Sequence, residues 1–215
     1  MKKSSSRRPA VFLDRDGTLI PDVSYLSGLS QVRLFPFTAR ALKLLKKAGF
    51  RLFVVTNQSG VARGYFPENM VKKAHLKIQG LLKAQGAGVD GFFYCPHYPQ
   101  GKVKSFSRVC GCRKPKPGMV KEAARRFRLD LKRSFMVGDK GDDLLLAKKA
   151  RLAKGLLVRT GNGRKTEKKM TGKERTKTII VGDVLKAARW ILSSSNKSSL
   201  TTKGTKDTKN NERQR

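Results

Sequence analysis

The sequence predicts an α/β fold, a three-layer, Rossmann-like sandwich whose central parallel sheet is covered by helices. Two observations predict this class. Short apolar runs of strand length alternate along the chain with longer segments whose apolar residues recur at helical spacing. Several of the apolar runs lead directly into polar segments that contain Gly, Asn or Asp, which is typical of a strand that ends in a loop. Alternation of this kind favours parallel strands joined by crossover helices.

The predicted elements follow one another along the chain. The first strand is the apolar run 10–13, and the helix after it, with Leu42 and Leu45 on one face, ends near Gly49, which can close a helix. Pro67 opens a second helix, and Val120 lies in a third. The remaining helices are predicted at about 142–150 and around 184–191. Further strands are predicted at 51–55, 91–94, 134–137, 155–158 and 178–181.

The domain boundaries are predicted from composition. Residues 1–8 and 193–215 are rich in Ser, Thr, Lys and Asn and poor in apolar residues, so we expect both ends to be disordered and one folded domain to span 9–192. The polar and highly charged segment 161–177 is expected to be a surface loop or a partly disordered insertion. His75, on a predicted helix, is assigned to ordinary packing.

The chain is strongly basic, with 49 Lys and Arg residues against 15 Asp and Glu residues and a formal net charge of +34. A field of this sign attracts nucleic acid, anionic membrane surfaces or phosphorylated small molecules. Because the cations are scattered and not interleaved with aromatic residues, a generally basic surface is favoured over a dedicated nucleic-acid site. No apolar run is long enough to span a membrane, and we see no secretory signal before the first strand, so we expect no membrane partner. The three cysteines favour metal ligation in a reducing cytoplasm, and we also expect a monomer.

Two carboxylates follow the first predicted strand in the segment FLDRDGT. Asp14 and Asp16 lie two residues apart, and Gly17 lets the backbone turn so that both can face a ligand beyond the carboxyl end of the strand. This pattern is typical of phosphoryl transfer through an aspartyl phosphate with Mg²⁺ between the acids. Taken alone, the segment is equally compatible with a solvated Asp-Gly turn.

Three further segments place phosphate-handling residues at predicted strand ends or in loops. VVTNQSG offers the Thr56 hydroxyl and consecutive backbone amides, and MVGDK supplies Asp139, with Asp143 one helical turn later. Arg113 and Lys114 add two cations that can neutralise a transferring phosphoryl group. Four such segments in this order are hard to obtain by chance.

FLDRDGT, VVTNQSG, CRKPKPGM and MVGDK together resemble the four signature motifs of the haloacid-dehalogenase superfamily of phosphohydrolases. The resemblance implies a Mg²⁺-dependent phosphoric monoester hydrolase with Asp14 as nucleophile and Asp16 as proton donor and acceptor. It implies that Mg²⁺ is bound by Asp14, the backbone carbonyl of Asp16, and Asp139. It also implies that Thr56 and Lys114 stabilise the phosphoryl group.

A second group of candidate ligands lies in the Cys/His loop (residues 95–112). Cys95 and His97 are followed, after twelve residues, by Cys110 and Cys112. Three thiolates and one imidazole in a Gly- and Pro-rich loop predict a closed, structural Zn²⁺ site, and an odd number of cysteines argues against a disulfide framework. Cys112 is bonded directly to the Arg113-Lys114 pair, so the metal is expected to anchor the loop that carries these cations.

The Cys/His loop narrows the resemblance to the heptose-1,7-bisphosphate 7-phosphatase family, which makes a precursor of bacterial lipopolysaccharide. The related histidinol phosphatases have a shorter gap between the ligand pairs. The resemblance covers about residues 10–160 and implies a small phosphorylated sugar as substrate and no large cap domain. The net charge, the basic tail and the segment 161–177 depart from the family pattern. The implied substrate-binding residues are Asp22, Val23, Ser24, Tyr25, Asn57, Gln58, Ser59, Arg113 and Lys140.

Three alternatives remain open on the sequence alone. The same chemistry could act on histidinol phosphate or another small phosphate ester. The net charge also suggests a polynucleotide 3′-phosphatase, whose activity on DNA ends would fall steeply with salt. The third alternative is a basic nucleic-acid-binding module on an inactive phosphatase fold, but the intact set of Asp14, Asp16, Lys114 and Asp139 argues against it.

Overall fold

A six-stranded parallel sheet forms the centre of the part of the chain that the computed structural model describes, residues 7–26 and 28–204. The strand order is β3-β2-β1-β4-β5-β6, and every neighbouring pair is parallel. The predicted parallel sheet is confirmed. The strands are β1 (Arg8–Leu13), β2 (Arg51–Asn57), β3 (Gly91–Cys95), β4 (Leu129–Gly138), β5 (Lys154–Val158) and β6 (Ile179–Val181).

Helices cover both faces of this sheet. The helices are α1 (Thr38–Lys47), α2 (Gly60–Arg63), α3 (Glu68–Ala84), α4 (Gly118–Phe127), α5 (Gly141–Lys149), α6 (Gly163–Lys169), α7 (Gly172–Lys177) and α8 (Val184–Gly204). Successive residues of β1 point to opposite faces, so that Val11 packs into one hydrophobic cluster with α1, α3 and α8, while Phe12 packs into another with α4 and α5. The predicted three-layer sandwich is confirmed.

Strand β1 is a central strand of the sheet and positions the site. It lies between β2 and β4, and its residues Ala10–Leu13 are fully buried. The backbone N–H of Asp14 donates to the carbonyl of Val137 in β4 at 2.9 Å, so pairing continues one residue past the strand. The loops that follow β1, β2 and β4 therefore begin side by side at the carboxyl edge of the sheet.

The segment 161–177 is helical, which corrects the prediction of a surface loop or disordered insertion. It folds into α6 and α7. Thr171 caps α7 by accepting from the Glu174 backbone N–H, and the Glu174 carboxylate accepts from the Thr171 backbone in return. Glu167 in α6 accepts from Arg159 at 2.7 Å and from Arg175 at 2.8 Å. The charged residues of this segment thus stabilise short helices through local pairing.

Secondary structure in the described residues extends past both predicted domain boundaries. Strand β1 begins at Arg8, whose side chain donates to the Gly49 carbonyl at 3.1 Å. Helix α8 continues past the predicted boundary at 192 as far as Gly204, and the hydroxyls of Ser193, Ser194 and Ser195 donate to carbonyls one turn earlier in the helix. The predicted disorder of residues 1–6 and 205–215 concerns residues outside those described.

Two other features of the described residues bear on the sequence predictions. His75 is buried on α3 and stacks on Phe92 at 4.5 Å between ring centroids, which agrees with its assignment to packing. None of the helices in the described part of the chain has the length and hydropathy that a transmembrane segment needs.

Candidate active site

Lys114 lies at the centre of the residues that meet at the carboxyl edge of the sheet. Its Nζ donates to Asp14 Oδ1 at 2.7 Å, to Asp143 Oδ1 at 2.6 Å and to the Val55 carbonyl at 3.0 Å. Burial alone would lower the pKa of Lys114, but the two carboxylates outweigh it and raise the pKa above its usual value. Lys114 is therefore a permanently charged group held against the predicted nucleophile.

The backbone of Lys114 is also fixed, by the side chain of Asn57 at the end of β2. Asn57 Nδ2 donates to the Lys114 carbonyl at 3.1 Å, and Asn57 Oδ1 accepts from the Lys114 N–H at 2.9 Å. Asn57 was predicted to bind substrate. In the structure its amide links two loops that are distant in sequence, and so positions Lys114.

Three carboxylates form the carboxylate cluster, defined as Asp14, Asp139 and Asp143. One oxygen of each lies within 4.8 Å of the others, and all three side chains are buried. Burial and the neighbouring Asp14 charge raise the pKa of Asp139 to about 7. Burial likewise raises the pKa of Asp143 to about 6, although Lys114 opposes the shift. The cluster therefore carries more negative charge than one lysine neutralises.

The carboxylate cluster has the properties of a Mg²⁺ site. Asp139 Oδ1 is buried and has no hydrogen-bond partner among the described residues, which is costly unless a cation faces it. Carboxylate oxygens are the donors that Mg²⁺ prefers in proteins. The predicted ligands Asp14 and Asp139 both belong to the cluster. Asp143, which the sequence placed behind them, is the partner of Lys114.

Residues that follow β5 complete this edge of the site and were missed by the sequence predictions. The backbone N–H of Asn162 donates to Asp139 Oδ2 at 2.7 Å, and Thr166 Oγ1 donates to the Asp139 carbonyl at 2.8 Å. Gly17 and Gly161, both with positive φ, pack beside the Asp139 carboxylate, with which a Cβ at either position would collide. The available signal was that β5 also ends at the carboxyl edge of a parallel sheet.

A cavity of about 210 Å³ is lined by Arg113, Lys140 and Asp142, which directly adjoin Lys114, Asp139 and Asp143 in the chain. Lys140 Nζ lies 3.2 Å from Asp22 Oδ2 at its wall, and this contact helps to lower the pKa of Asp22 despite the opposing effect of burial. The residues predicted to bind substrate all line this cavity: Asp22, Val23, Ser24, Tyr25, Asn57, Gln58, Ser59, Arg113 and Lys140. The structure brings them together, while their individual roles remain predictions.

Asp16 lies at the cavity with its carboxylate held from two sides. The side chain is 18% exposed and accepts hydrogen bonds from the buried Arg15 guanidinium and from Gln58 Nε2. Gln58 Nε2 also donates to Thr56 Oγ1 at 2.9 Å. Asp16, which is predicted to transfer the proton, and Thr56, which is predicted to stabilise the phosphoryl group, are thus joined through the side-chain amide of Gln58.

The ligands predicted for Zn²⁺ converge as the Cys/His cluster, defined as Cys95, His97, Cys110 and Cys112. The described contacts between their ligand atoms measure 3.3 to 3.7 Å, for example 3.4 Å between Cys95 Sγ and Cys110 Sγ and 3.4 Å between His97 Nδ1 and Cys112 Sγ. A tetrahedral zinc ion with Zn–S bonds of about 2.3 Å needs sulfur atoms roughly 3.8 Å apart. Hydrogen bonding from Cys95 lowers the pKa of Cys112 to about 5, which favours a thiolate there. The cluster can therefore hold zinc with small adjustments.

The Cys/His cluster joins the site through Arg113, the residue after Cys112. Arg113 Nη1 donates to the His97 carbonyl at 3.4 Å, and its guanidinium lies 5.4 Å from the centroid of the Tyr98 ring. Its side chain lines the cavity beside Lys140. The Cys/His loop thus fixes the direction from which Arg113 reaches the cavity.

Comparisons with known proteins agree with this geometry. A family model described as HAD-hydrolase-like, for haloacid-dehalogenase-like hydrolases, matches residues 111–187. The D-glycero-β-D-manno-heptose-1,7-bisphosphate 7-phosphatase of Escherichia coli K12 is 44% identical over 153 residues, which cover 71% of this chain and 80% of that protein. The chain belongs to the heptose-1,7-bisphosphate 7-phosphatase family of HAD-like hydrolases. The predicted family and enzyme class are confirmed.

Further relatives support the same assignment. The enzyme of the same name from Pasteurella multocida is 43% identical over 154 residues, covering 72% of this chain and 83% of that protein. The crystal structure of D,D-heptose 1,7-bisphosphate phosphatase from B. bronchiseptica, complexed with magnesium and phosphate, is 35% identical. The aligned region covers 86% of this chain and 99% of the B. bronchiseptica chain, with a TM-score of 0.76. Members of this family are phosphatases, so the open alternative of an inactive phosphatase fold loses its support.

Proposed function

We propose that the protein hydrolyses the 7-phosphate of D-glycero-D-manno-heptose 1,7-bisphosphate, a step toward the activated heptose of lipopolysaccharide. The observation that carries the proposal is that the cavity of the predicted substrate-binding residues is also lined by the direct chain neighbours of Asp14, Asp139 and Lys114, namely Arg15, Lys140 and Arg113. The relatives at 43–44% identity bear the name of this activity.

The first half of the reaction transfers the phosphoryl group to Asp14. A carboxylate oxygen of Asp14 attacks phosphorus, and the bond between phosphorus and the sugar oxygen breaks. That oxygen leaves poorly as an alkoxide, so Asp16 delivers a proton to it. Lys114, 2.7 Å from Asp14, and the Thr56 hydroxyl stabilise the charge on the transferring group.

The second half releases the enzyme. Asp16, now ionised, accepts a proton from a water molecule, whose oxygen attacks phosphorus and breaks the bond to Asp14. Mg²⁺, when bound by Asp14, Asp139 and the backbone carbonyl of Asp16, neutralises charge on the nucleophile and the phosphoryl oxygens. The buried Asp139 oxygen without a protein partner supports this placement.

Substrate choice is assigned to the cations at the cavity wall. Arg113 and Lys140 are the groups that would bind the phosphate that is not transferred, because both line the cavity and, among the described residues, the ion pair to Asp14 is made by Lys114. Arg113 suits this role since its planar guanidinium can bind a phosphate in bidentate fashion. Zinc in the Cys/His cluster would act structurally by holding Arg113 and Lys114 in place.

We also propose a cytoplasmic location. Cys95, Cys110 and Cys112 are free thiols in the structure, which suits zinc ligation in a reducing compartment. The expectation of a monomer stays a prediction.

The proposal is tested by steady-state kinetics on a panel containing heptose 1,7-bisphosphate, histidinol phosphate and a 3′-phosphorylated DNA oligonucleotide, with Asp14→Asn as the inactive control. We expect the highest kcat/KM for the heptose bisphosphate. A kcat/KM at least about tenfold higher for histidinol phosphate, which corresponds to about 1.4 kcal/mol of transition-state stabilisation, would refute the substrate assignment. Salt-sensitive hydrolysis of the DNA end at a higher kcat/KM would favour the polynucleotide alternative.

A further inference from the structure

We infer that Arg15 and Gln58 form a buried polar bracket that orients two groups at once, the proton-transferring carboxylate of Asp16 and the phosphate-binding hydroxyl of Thr56. Both are positioning residues, since they act through groups that contact the substrate. The inference rests on the proposed reaction, in which Asp16 delivers a proton to the leaving oxygen.

Arg15 supplies one side of the bracket. It is only 2% exposed, although it lies between two active-site carboxylates in sequence. Its Nε lies 3.1 Å from both oxygens of Asp16, and its Nη2 lies 2.9 Å from Asp16 Oδ2. The same Nη2 donates to Gln58 Oε1 at 2.8 Å. Burying a guanidinium is expensive, and these charge-assisted hydrogen bonds of Nε and Nη2 offset part of the cost, while Nη1 is buried without a hydrogen-bond partner among the described residues.

Gln58 supplies the other side. Its Nε2 donates to Asp16 Oδ2 and to Thr56 Oγ1, both at 2.9 Å, while its Oε1 accepts from Arg15. A side-chain amide has two N–H donors, and both are engaged within the protein. The resemblance implied that Gln58 binds substrate. We infer instead that Gln58 acts indirectly, because its two amide N–H groups donate to Asp16 and Thr56.

The bracket has a consequence for each group that it holds. Because Thr56 Oγ1 accepts from Gln58, its own hydroxyl hydrogen is free to point to a phosphoryl oxygen. Because both oxygens of Asp16 accept hydrogen bonds from Arg15 or Gln58, the carboxylate cannot rotate freely, and its orientation is set before substrate binds. A proton-transferring group must lie within hydrogen-bond reach of its target, so this orientation should matter most where proton delivery is needed.

Leaving-group dependence separates this role from a general loss of structure. An alkyl phosphate such as the heptose bisphosphate needs the proton from Asp16, whereas p-nitrophenyl phosphate releases a stable phenolate and needs it much less. With enzyme in excess, release of the alcohol or of nitrophenol reports the first half of the reaction alone. Arg15→Met, Arg15→Lys, Gln58→Leu and Gln58→Glu are compared with wild type. Gln79→Leu is the control, because the hydrogen bonds of the Gln79 side chain among the described residues are to the backbone of Val89, and Gln79 does not line the cavity.

We expect Arg15→Met and Gln58→Leu to slow single-turnover release of the alkyl alcohol by about 10²-fold or more, the usual range for general acid catalysis. Release of nitrophenol should slow by about tenfold or less. Gln58→Leu should also raise the inhibition constant for inorganic phosphate, because the Thr56 hydroxyl loses its orientation. Gln79→Leu should leave both single-turnover rates unchanged.

Equal slowing for both substrates, or no slowing for either, would overturn the inference. If thermal melting shows that Arg15→Met is unfolded, the inference is judged on Gln58→Glu instead. This substitution is nearly isosteric, keeps an acceptor for Arg15 and removes both amide donors. If wild type proves inactive on the heptose bisphosphate, the substrate proposal fails. In that case the leaving-group comparison is made with whichever alkyl phosphate the enzyme hydrolyses.

Discussion

The described part of the chain has two clusters of side chains that could ligate a metal ion, and they differ in almost every physical property. The carboxylate cluster is fully buried, offers oxygen atoms and holds an unbalanced negative charge around Lys114. The Cys/His cluster is half-buried except for Cys95, offers sulfur and nitrogen, and already has near-tetrahedral spacing. The first is arranged to gain from binding a cation and a phosphate together, and the second to be complete with a single metal ion.

The difference indicates that the two clusters have separate roles, the carboxylate cluster in the reaction and the Cys/His cluster in holding a loop in place. An excess of buried carboxylates is unfavourable in the free protein, and that unfavourable energy is relieved when Mg²⁺ and substrate arrive. A closed thiolate and imidazole site has no open position for substrate, so its contribution is to rigidity. The covalent bond between Cys112 and Arg113 joins the two, since the next residue is Lys114.

Substitution of Asp14 should have the largest effect on activity and should affect only the carboxylate cluster. We expect Asp14→Asn to lower kcat by about 10³-fold or more, because an amide cannot form the aspartyl phosphate. Zinc content and thermal melting should stay near wild type, since the Cys/His cluster does not contact residue 14. Phosphate release at an unchanged rate would contradict the assignment of the nucleophile.

Lys114→Met tests the charge balance of the carboxylate cluster. Two buried carboxylates would lose their partner, which typically costs about 3–5 kcal/mol in the free energy of unfolding, besides a loss of kcat of about 10²-fold or more. Chemical denaturation and kinetics measure the two effects. Lys116→Met is the matched control, because Lys116 is exposed and two residues away. Equal effects of the two substitutions would refute a special role for Lys114.

Cys112→Ser tests the structural role of the Cys/His cluster. We expect loss of bound zinc, measured by elemental analysis, and a fall in kcat/KM of about 10- to 100-fold, because Arg113 and Lys114 lose their anchor. The Mg²⁺ concentration that gives half-maximal activity should change little. Full activity without zinc would show that the Cys/His cluster does not support the active site, and full zinc retention would show that Cys112 is not a ligand.

The smallest expected effect is a pH dependence of stability in Mg²⁺-free protein. The pKa of Asp139 is raised to about 7 and that of Asp143 to about 6, above the ordinary Asp value of 3.8, so ionisation is harder in the folded state. Folding stability should therefore fall as pH rises from about 4 to 7. Thermal melting should show a decrease of a few degrees at pH 7.5 relative to pH 5.5. Saturating Mg²⁺ should reduce this decrease, and a melting temperature that rises with pH in Mg²⁺-free protein would contradict the charge crowding.

Much of the site could be predicted from sequence because it depends on topology. In a parallel sheet the carboxyl ends of strands meet at one edge, so Asp14, Thr56 and Asp139 had to lie near one another once the strands were assigned. Lys114 was found through its motif and its link to the Cys/His loop. The spacing of the Cys and His residues was informative because zinc ligands have narrow geometric requirements.

What could not be predicted depends on individual side-chain contacts. The pairing of Asn57 with the Lys114 backbone and of Asn162 with Asp139 joins residues whose separation in the folded chain no local pattern reveals. Helices α6 and α7 were missed because their stability comes from the Thr171 cap and the Glu167 ion pairs, while composition alone suggested disorder. The engagement of both Gln58 donors likewise became visible only with the positions of Arg15, Asp16 and Thr56.

The central claim is that the carboxylate cluster carries the covalent chemistry through Asp14. It is tested most directly by mixing the enzyme with heptose 1,7-bisphosphate and Mg²⁺, quenching in acid within one turnover, and locating the phosphoryl group by peptide mass spectrometry. The phosphoryl group should appear on the peptide containing Asp14 in wild type and be lost in Asp14→Asn. Phosphorylation of another residue, or turnover with no phosphorylated peptide at any quench time, would contradict the mechanism.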